Sequence, residues 1–295
     1  MPEQQPKPDA LSVDVEEYFH ATVFEGRIPR GEWESLRGRL APAVRRLLDL
    51  FAACGARATF FFLGWVAEKE RELVREVAEA GHEVASHGYD HRLVHELGPA
   101  AFRRDIRRSK RLLEEITGRP VAGYRAPTFS ITSRTLWALP LLAEAGFLYD
   151  SSVFPIRHDR YGIPGFPRGP VRLRFGAGSL VEFPLSTWRV GRWNLPVSGG
   201  GYLRLLPVGL IERGLRAVRR EGRPVLLYVH PWELDEGQPR VPLPPLSRAR
   251  HYGGIARSED RLRRLIAGRR FAPLAEVIEG IDLPEHPLPV RSPVD

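Results

Sequence analysis

The sequence predicts an α/β fold, and within that class a (β/α) barrel in preference to an open sheet. Two observations carry this. Short apolar runs of strand character alternate with longer segments of helical periodicity, the pattern of parallel strands joined by crossover helices. The chemically distinctive polar residues all fall just after predicted strands. In a barrel those strand ends converge on one face, whereas an open sheet spreads them along a crevice.

In chain order, residues 11–15 form a short first strand and 42–53 an apolar-periodic helix. Residues 58–63 are a second strand, and 68–80 an amphipathic helix ended by Gly81. A brief strand over 83–86 leads into Ser86-His87-Gly88-Tyr89-Asp90-His91. Residues 100–117 are helical and stop near Gly118 and Pro120, and 121–124 are a strand that delivers Arg125. A helix over 133–145, bent or interrupted at Pro140, is closed by Gly146, and 147–149 lead to Asp150. Residues 155–205 are rich in Pro and Gly and read as an insertion of loops and small strands, such as 171–175 and 180–183, over the barrel mouth. Residues 205–220 return to helix, and 225–229 are a buried strand ending at His230. A proline-rich turn at 239–245, a helix at 259–266 and a last core segment at 271–277 follow. The expected organisation is a disordered arm over 1–9, one barrel domain over 10–280 and a proline-rich tail over 281–295.

The 295 residues suffice for one barrel-sized domain, and 43% hydrophobic with 27% charged residues is the balance of a soluble globular protein. The net charge of +8 is almost wholly arginine, the lysines being Lys7, Lys69 and Lys110. These arginines are scattered through amphipathic helices rather than gathered with exposed aromatics, which argues against nucleic acid as a partner. Cys54, the only cysteine, cannot form an internal disulfide and reads as a small buried residue. The N-terminal ten residues hold no apolar signal segment and no later run is long enough to span a bilayer, so the expected location is cytoplasmic.

His87 and His91, four apart, can point to the same side of one helical turn. A carboxylate from elsewhere would complete an open metal site of two imidazoles and one oxygen. Asp14 and Glu16, two apart on a strand, face the same way. Gly88 follows His87 where the zincin pattern has Glu, so the third ligand and the base come from outside this turn, with Asp14 and Glu16 as candidates. Amide hydrolysis needs a metal that lowers the pKa of water from ~16 toward ~7, a base, an electrophilic group for the oxyanion and an acid for the leaving amine. His230 is the candidate acid. Leu227 is placed to wall the pocket beside it, Asp150 to hold its ring, and Arg125 to pair with Asp14 and orient it.

These residues resemble the polysaccharide deacetylase (NodB-homology, carbohydrate esterase family 4) group, and most nearly its branch associated with exosortase and exopolysaccharide loci. Five blocks match in order over roughly residues 10–280: Leu11 through Phe19, Ser86 through His91, Gly123 through Ser130, Tyr149 through Ser152, and Leu227 through Pro231. The resemblance implies a distorted or incomplete barrel of seven or eight strands and a divalent metal, zinc or cobalt. It implies Asp14 as base, Glu16, His87 and His91 as metal ligands, Arg125 orienting the base, Asp150 near the groove and His230 as acid. The valine between the two acids of the first block, and Thr128-Phe129 after Pro127, depart from the commoner pattern. The Thr128 backbone N–H is a candidate oxyanion donor. The implied reaction removes N-acetyl groups from an amino-sugar polymer or oligomer. Gly199, Gly200 and Gly201 would let backbone approach a sugar. Trp188, Trp193, Tyr202 and Trp232 would stack on sugar faces or pack internally. The alternatives are a hydrolase of another linear C–N bond, allantoinase-like, and a non-catalytic glycan-binding or scaffold protein of a polysaccharide-assembly complex.

Overall fold

The computed structural model describes residues 7–176 and 178–288. The strands are β1 (Asp9–Val15), β2 (Thr59–Phe62), β3 (Glu83–Ser86), β4 (Gly123–Tyr124), β5 (Tyr149–Asp150), β6 (Val171–Phe175) and β7 (Gly178–Glu182). They continue with β8 (Thr187–Val190), β9 (Trp193–Pro196), β10 (Leu226–Val229), β11 (Phe271–Ala272) and β12 (Glu285–Pro287). The helices are α1 (Leu40–Ala53), α2 (Gly64–Lys69), α3 (Arg71–Glu79), α4 (Val94–Thr117), α5 (Ala138–Glu144), α6 (Gly201–Leu205) and α7 (Val208–Arg220). The last three are α8 (Pro245–Tyr252), α9 (Ser258–Ile266) and α10 (Leu274–Glu279).

One sheet runs β10-β1-β2-β3-β4-β5-β7, every neighbour parallel. β6 then joins β7 antiparallel and carries β12, while β11 pairs with the start of β1. The ring is not closed by a continuous ladder. Single hydrogen bonds cross the gap between β7 and β10: Val197 N–H to Ser186 O, then Tyr228 N–H to Ser198 O. Gly199 and Gly200 make this crossing possible. A Cβ at Gly199 (φ +155°) would lie 1.8 Å from Tyr228 O, and one at Gly200 (φ +58°) 2.6 Å from Tyr228 Oη. The packing of Tyr228 therefore accounts for the first two of these three glycines without a sugar.

Strand alternation separates two apolar layers. Leu11, Val13, Phe60, Phe62, Leu227 and Val229 face outward into the packing under the helices, with Val44, Leu47, Val74 and Leu215. Ala10, Phe61, Ala85, Tyr149, Leu226 and Tyr228 face inward, with Phe129 and Phe154. Ser12 and Asp14 share the parity of Ala10 and so continue the inner face toward the strand ends.

Several expectations need correction. β7 belongs to the main parallel sheet; it is not part of an insertion over the mouth. The 68–80 helix is two, α2 and α3, broken at Glu70 (φ −115°, ψ 47°). The body of α4, which Pro99 begins, is the expected 100–117 helix, and a non-helical Gly98 (φ 64°, ψ 170°) separates it from an additional turn before it. α5 covers only half of the expected helix, and Pro140 sits in its first turn, where no intrahelical N–H bond is lost. Cys54 is half-buried at the end of α1. Asp9 already belongs to β1, and the tail returns as β12 on β6; residues 1–6 and 289–295 lie outside the described residues.

Candidate active site

The site forms where β1, β3, β4 and β10 end. Asp14 is the last but one residue of β1, and Glu16 follows on a turn in which its N–H bonds Asp14 O at 3.1 Å. Glu17 ties this turn to the helix layer: its carboxylate accepts the N–H groups of Arg39 (2.8 Å) and Leu40 (3.1 Å) at the start of α1.

His87 and His91 are in a loop after β3, not on a helical turn. Gly88 (φ 77°) and His91 itself (φ 57°) bend the loop so that the two rings stand 5.8 Å apart. Among the described residues only three non-glycines have positive φ: His91, Thr128 and Phe129. All three are candidate site residues, a concentration of backbone strain of the kind functional sites hold.

Glu16, His87 and His91 offer one donor atom each within 4.8 Å of one another, and all three are buried. His87 Nδ1 is 2.8 Å from Arg125 O; as the donor there it leaves the Nε2 lone pair for the cluster. Glu16 Oε2 lies 2.9 Å from His91 Nε2, yet this buried oxygen has no hydrogen-bond partner. Burial pushes the His87 pKa down to about 4, which keeps it neutral. Burial raises that of Glu16, but the imidazoles of His91, His230 and His87 outweigh it and hold the carboxylate ionised. Two imidazoles and an ionised carboxylate, with an unsatisfied oxygen between them, fit a divalent cation with open positions.

Arg125 is fully buried beneath this cluster. Its Nη1 donates to Asp14 Oδ1 (2.6 Å) and Ser12 Oγ (2.8 Å), while Nε and Nη2 go to Ser151 O (3.0 Å) and Ser151 Oγ (2.9 Å). Its guanidinium also lies 4.2 Å from the Phe61 ring centroid. This is the expected Arg125–Asp14 pair, with every donor nitrogen satisfied.

His230 presents Nε2 3.9 Å from Asp14 Oδ2 and 3.4 Å from Glu16 Oε1. The group holding its ring is Glu233, not Asp150: Nδ1 lies 3.1 Å from Glu233 Oε2. Arg204 Nε in turn donates to Glu233 Oε1 at 2.6 Å, and both side chains are buried. Burial works against charge on His230, but the Glu233 carboxylate, then Glu16 and Asp14, push its pKa up to about 9. Burial likewise opposes charge on Glu233, and Arg204 with His230 brings it down to about 2.

Asp150 instead accepts from Ser152 Oγ (2.6 Å) and N (3.3 Å), and Ser152 Oγ receives the Ala126 N–H at 2.7 Å. Across the β5–β7 register it faces Glu182. Burial raises both carboxyls, and the neighbouring Asp150 adds to the rise of Glu182, which lies well above its ordinary value. Asp150 thus positions the segment beside Arg125.

Leu227 points away from the site into the helix-facing layer, and the inward residue of that strand is Tyr228. Trp232 is a wall of the site: its Nε1 donates to Glu16 Oε1 (3.3 Å), and its ring stacks on His230 at 5.0 Å. Phe129 packs in the inner layer against Phe154, Tyr161 and Tyr228. Thr128 Oγ1 meets Thr22 Oγ1 at 2.6 Å, and Tyr202 packs edge-on to Phe154, its ring centroid 6.5 Å away. Gly201 begins α6. Trp188 and Trp193 lie on the β8–β9 hairpin, outside this cluster.

Sequence reasoning missed Glu233, Arg204 and His20. The His20 ring runs parallel to that of His91, 6.2 Å away. Its Nδ1 accepts the Glu17 N–H (3.0 Å), which puts the ring proton on Nε2, and Nε2 is buried without a partner. His20 is thereby a donor, not a fourth ligand. The only signal was its position four residues after Glu16.

A parallel α/β ring with a carboxylate and an imidazole facing an imidazole–carboxylate cluster at its strand ends is an arrangement that suits hydrolytic chemistry. Residues 38–147 match the polysaccharide deacetylase family model, and 151–279 match a domain of unknown function (DUF3473). The chain carries a polysaccharide deacetylase (NodB-homology) domain. It is 33% identical over 110 residues to the peptidoglycan deacetylase of Helicobacter pylori, covering 37% of this chain and 36% of that one. It is 30% identical over 94 residues to a peptidoglycan-N-acetylglucosamine deacetylase of Bacillus cereus, covering 32% and 34%. The matched region is thus about a third of the curated relatives' length. A crystal structure of a Mycobacterium smegmatis protein assigned as a polysaccharide deacetylase superposes with TM-score 0.65 at 25% identity, covering 99% of this chain and 97% of that one. PuuE allantoinase shares the fold, with TM-score 0.60 at 16% identity, covering 92% and 88%. The sequence match to the deacetylase model starts after Glu16 and ends before His230; the fold brings both to the matched histidines.

Proposed function

We propose that this chain hydrolyses the N-acetyl group of amino-sugar residues in a polysaccharide or its precursor, using a divalent metal, and that it serves exopolysaccharide synthesis. The observation that carries the reading is one cluster: Glu16, His87 and His91 within 4.8 Å, flanked by the Asp14–Arg125 pair and by His230. Glu16, His87 and His91 would hold the cation, which when bound polarises a carbonyl and lowers the pKa of water. Arg125 grips Asp14 Oδ1 and leaves Oδ2 toward the site, so Asp14 takes the proton of the attacking water. His230 gives its Nε2 proton to the departing nitrogen. A pKa pushed up to about 9 keeps that proton in place at neutral pH, and a cation beside Glu16 would work against it. The amine must leave protonated, which is why an acid opposite the base is required.

The test is acetate release from N-acetylglucosamine oligomers by the full chain, with and without a chelator. Chelator-sensitive release is expected, and Asp14→Asn should keep metal content but lose turnover by about 10²-fold or more. No release from the metal-loaded protein overturns the substrate assignment. Turnover of allantoin under the same conditions would move the reading to another linear C–N bond.

A further inference from the structure

The β8–β9 hairpin pairs with no other strand among the described residues and sits on α7. Its cross-strand partners are Trp188 with Leu195 and Val190 with Trp193, so these four side chains share one face. Trp188 anchors the base of that face: a Cβ at Gly214 of α7 would meet it at 3.4 Å. On the opposite face Asn194 Nδ2 donates to Pro155 O at 2.7 Å. Beyond these anchors the apolar face runs into solvent. Val190 is 42% exposed, Trp193 53% and Leu195 39%. Leu210, 39% exposed, stands one helical turn before Gly214 on the same α7 stripe and extends the patch.

The charge on the hairpin itself has one sign, and the one acid of α7, Glu212, is paired with Arg264. Residues 187–196 contain Arg189 and Arg192 and no acid, and α7 adds Arg213 and Arg216. The Arg192 guanidinium lies 5.0 Å from the Trp193 ring centroid, and that of Arg213 lies 5.8 Å from Trp188. We propose that this hairpin tip docks the protein on a bilayer surface rich in acidic lipid. A stable protein–protein contact buries about 1,200 Å² or more, which four side chains on a narrow ribbon do not supply. A bilayer sets no such threshold. A few apolar side chains enter the interface, tryptophan prefers that depth, and each nearby arginine adds Coulomb attraction to anionic headgroups. The overall charge of +8 acts in the same direction.

Co-sedimentation of the full chain with sucrose-loaded vesicles tests this, comparing phosphatidylcholine alone with an equal mixture of phosphatidylcholine and phosphatidylglycerol. Binding to the mixture only, weakened at ~1 M salt where the Debye length falls to ~3 Å, is expected. Arg192→Gln should weaken it about five-fold, and a Val190→Ser/Trp193→Ser variant should abolish it while keeping the parent's melting temperature. No binding to the acidic vesicles, or unchanged binding by both variants, overturns the proposal. So does a dimer in light scattering that the double variant dissociates, since the face would then belong to a second copy.

Discussion

Glu233 sets what His230 can do. It fixes the ring through Nδ1 and keeps Nε2 turned to Asp14 and Glu16, and it is itself held by the buried Arg204. Glu233→Gln keeps the shape but removes the charge that favours a protonated His230 and that neutralises Arg204. We expect kcat to fall ~10–100-fold with KM little changed, and the melting temperature to drop because Arg204 is left as an uncompensated buried cation. Steady-state kinetics well below the melting temperature separate the two effects. A lower melting temperature with kcat intact would make Glu233 structural only. Residue type and position brought out Asp14, Glu16, His87, His91, Arg125 and His230 as candidates, because each lies at or just after the end of a strand, and the family resemblance divided the roles among them. Glu233 and Arg204 were not legible in the same way. A glutamate three residues after a histidine, and an arginine among forty-four basic side chains, look like surface charge until folding buries them together. Leu227 was misplaced by strand parity: only the pairing of Leu227 with Leu11 shows which of Leu227 and Tyr228 faces inward.

The β2–β3 crossover is the element on which the histidine loop is mounted, and it carries a pH liability. His82 accepts the Ala58 N–H on Nδ1 and packs against Phe51 and Phe60, and burial pushes its pKa down to about 4. The unfolded chain takes up this proton near pH 6.5, and the folded protein does so only near 4. Its contribution is therefore complete above about pH 6.5 and is lost as pH falls toward about 4, by about 2–3 kcal/mol. His251, pushed by burial to about 3, and His87 act in the same direction, while Glu17 and Asp105, raised by burial to about 7, act against it. Urea unfolding of the parent and of His82→Gln across this range should show the share as a difference between the two pH slopes, the parent losing more as pH falls. An equal slope in the variant would remove His82 from the account. Elements of this kind were readable in outline: the strands after which chemistry falls lie within about two residues of their expected positions. The break at Glu70 was not, because it is a local dihedral choice inside a segment whose apolar period continues unchanged.

At the scale of the molecule, the two sequence-matched regions, 38–147 and 151–279, contribute to one sheet. β2, β3 and β4 lie in the first and β6, β7, β10 and β11 in the second, and two strands outside both regions join them: β5 pairs β4 with β7, and β1 pairs β2 with β10 and β11. The site is divided in the same way, with His87, His91 and Arg125 in the first region and His230, Glu233 and Trp232 in the second. Cutting between them would expose unpaired parallel edges on both sides of the first part and remove the inner-layer partners Leu226, Tyr228 and Phe154 from Ala10 and Phe61. The whole chain should therefore unfold in one transition. Tryptophan fluorescence and far-ultraviolet dichroism are expected to give the same urea midpoint, although Trp33 and Trp65 report on the N-terminal part and Trp188, Trp193 and Trp232 on the other. Residues 1–150 expressed alone should show no cooperative transition. Two separated midpoints, or a cooperatively folded 1–150 fragment, would mean that the second region is an appended domain, and the active site would then have to be regarded as an interface between two bodies.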